Sequence, residues 1–182
     1  MYNQNSNNVK PIIYQLLPRL FGNYNETRKH NGTREENGCG RFADITPRAL
    51  KSIADLGATH VWYTGVIRHA TAEHNTAAIV KGLAGSPYAI TDYYDVDPDL
   101  ATDEQKRMQE FEALVARTHK AGLKVVIDFV PNHVAREYHS VCKPAGVRDL
   151  GEDDNPNWAF SPLNNFYYIP GEKFQPDFDI QG

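Results

Sequence analysis

Cysteine is scarce in this sequence. Cys39 and Cys142 are its two cysteines, too few for a disulfide framework and without zinc-ligand spacing, so two partly buried thiols are expected. Long apolar runs are missing as well. No stretch approaches ~18 consecutive apolar residues, the length a membrane-crossing helix needs. Basic charge is not in excess: the net charge is -4 and the pI near 6.0. A nucleic-acid binder would carry a basic patch or stripe, and none is expected to bind here. Met1 to Asn8 are polar and Asn-rich, without the charged start and apolar centre of a secretory signal. The expectation is a soluble chain with no membrane partner. What remains is ordinary globular composition, 41% hydrophobic and 23% charged over 182 residues, at the length of one domain.

Hydrophobic patterning gives an order of elements. Residues 12–17 form a short apolar run between Pro11 and Pro18 and read as a buried strand. Residues 22–41, rich in glycine, asparagine and charge, read as a long loop. Thr46-Pro47 opens a helix, with Thr46 as cap and Pro47 where a missing N–H is harmless. Gly57 supplies its left-handed stop. Residues 59–64 are β-branched and aromatic, a second strand. Residues 65–101 read as a long irregular connection. A second helix is expected near Thr102, which has capping-box spacing to Gln105. Its apolar stripe is Met108, Phe111, Leu114 and Val115, and Gly122 ends it. Residues 123–127 are continuously apolar apart from Lys124 and suit a parallel strand buried on both faces.

Strand, helix, strand, helix, strand argues for a parallel α/β sheet, either a doubly wound open sheet or a β/α barrel. A nucleotide-binding open sheet should show a glycine fingerprint after its first strand. Pro18-Arg19-Leu20-Phe21-Gly22-Asn23 is not one. The third strand instead ends in Asp128, Asn132 and His133, and barrels place their chemistry at strand C-termini. Residues 134–182 lose periodicity and are too long for a plain loop, so they read as a small inserted subdomain. Its aromatic residues, Trp158, Phe160, Phe166, Tyr167 and Tyr168, read more readily as the insert's own core than as a cleft lining. Asp95, Asp97 and Asp99 alternate, but Leu100 and Lys106 stand where a calcium loop needs Gly and Glu. They read as a solvated loop leading to a helix cap.

Gly122 to His133 resembles the first conserved region of the α-amylase family, glycoside hydrolase family 13. Ile12-Ile13-Tyr14-Gln15 is similar to that family's first barrel strand. Residues 86–98, from Ser86-Pro87-Tyr88 to Val96-Asp97-Pro98, resemble its loop before the second helix, and Gln175-Pro176-Asp177-Phe178-Asp179 the motif closing its inserted subdomain. The resemblance covers about residues 10–180. It implies the N-terminal part of a (β/α)8 TIM barrel, with three strands and two helices, plus an inserted subdomain after the third strand. The expected division is a disordered tail at 1–10, barrel at 11–133 and insert at 134–182.

The implied activity is retaining hydrolysis of α-glucans such as starch and maltooligosaccharides, with an α-glucosidase, a transglycosylase or a non-catalytic carbohydrate-binding relative as alternatives. The family's nucleophile, acid/base and further Asp follow its fourth, fifth and seventh strands. None is therefore expected before Gly182, and the chain alone is expected to be inactive. The resemblance gives Tyr88 a stacking role on the sugar and His133 a hydrogen bond to it. Asp128 becomes the carboxylate that keeps the site in shape. Asn132 and Asp177 match ligands of a calcium ion, with Asn132 binding loop backbone as the other reading. Ala89 stands where many members that take terminal glucose units carry Asp, which favours an endo-acting enzyme. Three strands alone leave open edges, so self-association is expected.

Overall fold

The computed structural model describes residues 10–76 and 80–172. They form two compact units, one made of residues 10–29, 34–66 and 97–129, the other of residues 30–33, 67–76, 80–96 and 130–172.

The first unit is a three-stranded parallel sheet with helices on one face. Strand β1 (Ile13–Leu16) pairs with β2 (His60–Tyr63), which pairs with β5 (Lys124–Ile127), in the order β1-β2-β5. Helix α1 (Arg34–Asn37) is a single turn inside the loop after β1. Helix α2 (Pro47–Asp55) connects β1 to β2, and α3 (Arg107–Lys120) precedes β5. Thr46 accepts the Ala49 N–H at 3.2 Å, the expected cap. Past each helix Gly57 and Gly122 adopt positive φ, which glycine enters without a Cβ clash.

Register sorts the side chains. Val61 pairs with Tyr14 and Val125, and Tyr63 with Leu16 and Ile127. Paired residues share a face, and this face is buried along the central strand: Val61 and Tyr63 are fully buried and Leu16 nearly so. Tyr63 reaches the α3 hydroxyl of Thr118 at 2.6 Å, so the helices cover this side. Each fully buried aliphatic or aromatic side chain here contributes ~1.5–3 kcal/mol.

Strand β5 departs from expectation. It lies at an edge of the sheet among the described residues, and Ile127 is 41% exposed. One of its sides has no strand partner, so it is not buried throughout. The second helix also begins differently. A 3-10 turn at Glu104–Lys106 precedes α3, and Asp103, not Thr102, caps it by accepting Gln105 N–H. The Glu110 carboxylate takes the Thr102 and Asp103 N–H groups at 2.8 Å each. A carboxylate satisfies two orphan donors where the Thr102 hydroxyl would take one.

Asp97 and Asp99 are buried, not solvated. Arg19 contacts Asp99 at 2.6 Å and Asp97 at 3.5 Å, and Arg34 reaches Asp99 at 3.3 Å and Glu104 at 3.1 Å. Buried charge persists only when paired, and these arginines come from the loop after β1. Cys39 is half-buried beside them, its thiol 3.6 Å from the Asp99 carbonyl.

The second unit contains an antiparallel pair that the sequence reading left as irregular connection. Strand β3 (Ile67–His69) pairs with β4 (Ile90–Val96) through an irregular register. Asp95, also buried, pairs with Arg68 at 2.8 Å. Residues 135–139 run along β4: the Ile90 and Thr91 carbonyls accept the Ala135 and His139 N–H groups. Buried Asp92 accepts the N–H groups of Tyr94, Val141 and Cys142 at 2.7–2.9 Å. Cys142 is exposed, not partly buried.

Candidate functional site

The sheet face opposite the helices carries the polar strand ends. Side chains alternate along a strand, so Gln15, Trp62, Thr64 and Asp128 lie away from Tyr63 and Val61. Gln15 Nε2 donates to the Thr64 hydroxyl at 2.9 Å. Asp128, just past β5, is held twice: Trp62 Nε1 donates to Oδ1 at 2.8 Å and the Gly65 backbone N–H to Oδ2 at 2.7 Å. The carboxylate is thus fixed by the neighbouring strand and the turn that follows it. The sequence reading named Asp128 and missed Trp62. Alternation puts Trp62 on the opposite face from Val61 and Tyr63; that Asp128 shares this face follows from the register of β2 and β5.

Tyr88 and His133 belong to the second unit, Asp128 to the first. Tyr88 sits in the turn just before β4. The Ala89 N–H bonds the Ser86 carbonyl at 3.0 Å, and the Tyr88 N–H bonds the Ser86 hydroxyl at 3.4 Å. Gly85, at positive φ, fixes the approach to this turn: a Cβ there would lie 1.7 Å from the Ala70 carbonyl oxygen. The Tyr88 side of the turn faces solvent, with the residue 37% exposed.

His133 is exposed, and its segment is pinned from β4. The Tyr93 hydroxyl donates to the Val130 carbonyl, with the His133 carbonyl at 3.5 Å. Burial raises the Tyr93 phenol above its ordinary pKa, and charge repulsion from the titrating Tyr138 phenol adds to this. Tyr93 therefore stays a donor at neutral pH. Asn132 places its amide nitrogen 3.2 Å from His133 Nδ1. The loop-backbone bond considered for Asn132 is not among its described contacts. Asp177 and the motif around it lie outside the described residues.

Asp92, Asp95 and Cys142 bring ligand-type atoms within 4.8 Å of one another. Their carboxylates already take backbone N–H groups and Arg68, which is the bonding of a structural core. No helix among the described residues is long and apolar enough to cross a membrane.

The model of the alpha-amylase catalytic domain matches residues 15–170. The chain belongs to the alpha-amylase family. It is 28% identical over 147 residues to Maltase 1 of Drosophila virilis, covering 81% of this chain and 19% of that protein. It is 30% identical over 165 residues to a probable alpha-glucosidase of Rhizobium meliloti (strain 1021), covering 88% of this chain and 25% of that protein. The crystal structure of an alpha-amylase from Lactobacillus plantarum matches with a TM-score of 0.51 at 31% identity, over 72% of this chain and 24% of that one. The chain thus spans about a fifth to a quarter of the length of the proteins it matches. Its parallel sheet is a partial (β/α)8 barrel, open and not closed on itself.

Proposed function

We propose that this alpha-amylase family chain is the first part of a retaining glycoside hydrolase domain acting on α-glucans such as starch and maltooligosaccharides. The supporting observation is Asp128. Its carboxylate stands at the C-terminal end of a parallel strand, where barrels carry their chemistry, and two donors hold it still. A carboxylate so fixed suits an electrostatic, preorganising role better than proton shuttling. The Tyr88 ring offers a flat apolar face with a polar rim to a pyranose. The His133 imidazole can donate to a sugar hydroxyl.

Retaining hydrolysis needs two carboxyl groups ~5 Å apart, one as nucleophile and one as acid/base. In this reading both belong to later strands, and no carboxylate of this chain takes either role. The 182-residue chain alone then leaves a chromogenic maltooligosaccharide intact. Turnover by the pure chain would overturn that part of the proposal.

Of the two residues that would hold a calcium ion, Asp177 lies outside the described residues. Asn132 offers one neutral oxygen, and a calcium ion takes six to eight oxygen ligands, so no step is assigned to the ion. Among the described residues β1 and β5 are the outer strands of the sheet, and in this reading their open edges pair with a second copy. A monomer by light scattering counts against this.

The names of the two relatives favour a second reading, an exo-acting α-glucosidase, while Ala89 favours endo-action. A protein carrying the whole domain separates them: an end-blocked maltoheptaoside reports endo-cleavage and p-nitrophenyl α-glucoside exo-cleavage. The sugar site itself is tested by titrating the chain with maltoheptaose. The ring protons of Tyr88 and His133 should shift, and unmoved resonances at millimolar sugar would refute it.

A further inference from the structure

Two Asn-Gly pairs, Asn31-Gly32 and Asn37-Gly38, stand between β1 and α2. A backbone nitrogen can attack the side-chain carboxamide of the asparagine before it, and a glycine nitrogen does so most readily because no Cβ crowds the approach. The carboxamide must first swing toward that nitrogen. The hydrogen bonds on each asparagine amide therefore decide which pair reacts, and the two amides are held very differently.

Asn37 is half-buried at the end of α1. Its Oδ1 accepts the Lys29 N–H at 2.7 Å, and its Nδ2 donates to the Lys29 carbonyl at 2.9 Å. Both ends of the carboxamide are thus fixed to one residue. The Asn37 carbonyl accepts Asn23 Nδ2 at 3.0 Å. A Cβ on Gly38 would lie 2.4 Å from Asn23 Oδ1, so the backbone is closely packed as well. Asn31 is exposed in a turn. Its φ is +53, in the left-handed region that asparagine tolerates. Among the described residues neither its amide nor its backbone has a hydrogen-bond partner. An exposed turn opens within nanoseconds to microseconds, far faster than amide chemistry, whereas Asn37 must first break the bonds that brace it.

We propose that Asn31 is a site of spontaneous deamidation in the folded chain, and that its bonds to Lys29 protect Asn37. The Gly32 nitrogen gives its proton to solvent base and bonds to Asn31 Cγ. The bond from Cγ to Nδ2 breaks, and Nδ2 takes up a proton and leaves as ammonia. Water then opens the five-membered imide. Cleavage between Cγ and the Gly32 nitrogen gives aspartate. Cleavage between the Asn31 carbonyl carbon and that nitrogen gives isoaspartate, with the chain now running through Cβ. Either product sets a carboxylate directly after Arg28, Lys29 and His30 and adds one negative charge to a net charge of -4. The inference uses none of the sugar-site residues and stands apart from the function proposed above.

The test incubates the full chain at mildly alkaline pH, folded or in guanidinium chloride, and follows tryptic peptides by mass spectrometry. Cleavage after Lys29, Arg34 and Arg41 puts the two sites in separate peptides, His30–Arg34 and Glu35–Arg41. In the folded chain the first peptide should gain the mass difference between an amide and an acid, and the second should lag severalfold. In denaturant the two should convert at similar rates. Isoaspartyl methyltransferase should label the aged folded chain, and ion exchange should resolve a new acidic species. Asn31→Gln should abolish most of the label and the acidic species, because a glutamine must close a larger ring. Circular dichroism matching the parent shows that this variant is folded. Gly32→Ala should slow conversion at Asn31 in denaturant too, where only the local chemistry acts. If folded Asn31 converts as slowly as folded Asn37 while both convert in denaturant, the fold protects both and the site is refuted. Equal rapid conversion of both in the folded chain overturns the protection assigned to the Lys29 bonds.

Discussion

Trp62 and Asp128, 66 residues apart in sequence, meet across adjacent parallel strands: the indole Nε1 donates to the carboxylate at 2.8 Å. The Gly65 N–H closes the other oxygen at 2.7 Å. This fixes the one acid of the sheet face that the family resemblance marks as a site residue. A hydrogen bond to a charged group contributes more than a neutral one, so the pair is also structural.

Trp62→Phe keeps most of the ring area and deletes the donor. Urea unfolding should show a loss of about 1.5–3 kcal/mol. In an Asp128→Asn background the same change should cost clearly less, because the charge-assisted bond is already weakened. Equal losses in both backgrounds would mean that packing, not the bond, carries the effect.

Arg19 neutralises two buried carboxylates. Its removal leaves Asp97, with a fully buried side chain, beside Asp99. Arg19→Met should destabilise the first unit by about 3–5 kcal/mol, the usual result of stranding a buried charge. Arg19→Lys should recover part of this, since it restores charge without the fork. A Met variant melting with the parent protein would show that the carboxylates find other partners.

The two thiols should react in order. Burial raises the Cys39 pKa, Arg19 pulls it down less strongly, and Asp97 and Asp99 add to the rise. Cys142 is exposed. At pH 8 iodoacetamide should label Cys142 first and Cys39 only slowly, until denaturant opens the fold. A raised thiol pKa favours the folded state fully below the unfolded value, about 8.5. That contribution is lost as the pH rises from there through the folded value.

Asp149 sets an acid limit in the second unit. Burial pushes its carboxyl pKa up, but the Ser140 hydroxyl and N–H, both at 2.7 Å, together with the Leu150 N–H, hold it below its ordinary value. A lowered pKa contributes stability above the unfolded value, about 3.9. This is lost as the pH falls through the folded value. Asp149→Asn should therefore flatten the acid limb of a stability–pH profile and lower stability at pH 7. An unchanged acid limb would remove Asp149 from that role.

Local chemistry was legible wherever cause and effect lie within a few residues. Thr46 before Pro47, Gly57 and Gly122 marked the helix ends because capping and positive φ are decided by neighbours. Apolar runs marked β1, β2 and β5 because each strand must bury one face. Asp128 stood out as a polar residue ending such a run. The short β3 escaped notice because three residues paired through an irregular register show no clear period of two.

What only the tertiary structure decided is where distant partners meet. Asp97 and Asp99 look like loop acids in the sequence, yet they are buried because Arg19, 80 residues from Asp99, arrives to pair with them. The aromatic residues of 155–171 looked like one core, and the fold turned Phe166 and Tyr168 in and Trp158, Phe160 and Tyr167 out. Composition determines how much apolar and charged surface a chain must place. Which residues receive the interior depends on contacts between segments far apart in the chain, and a local pattern does not encode them.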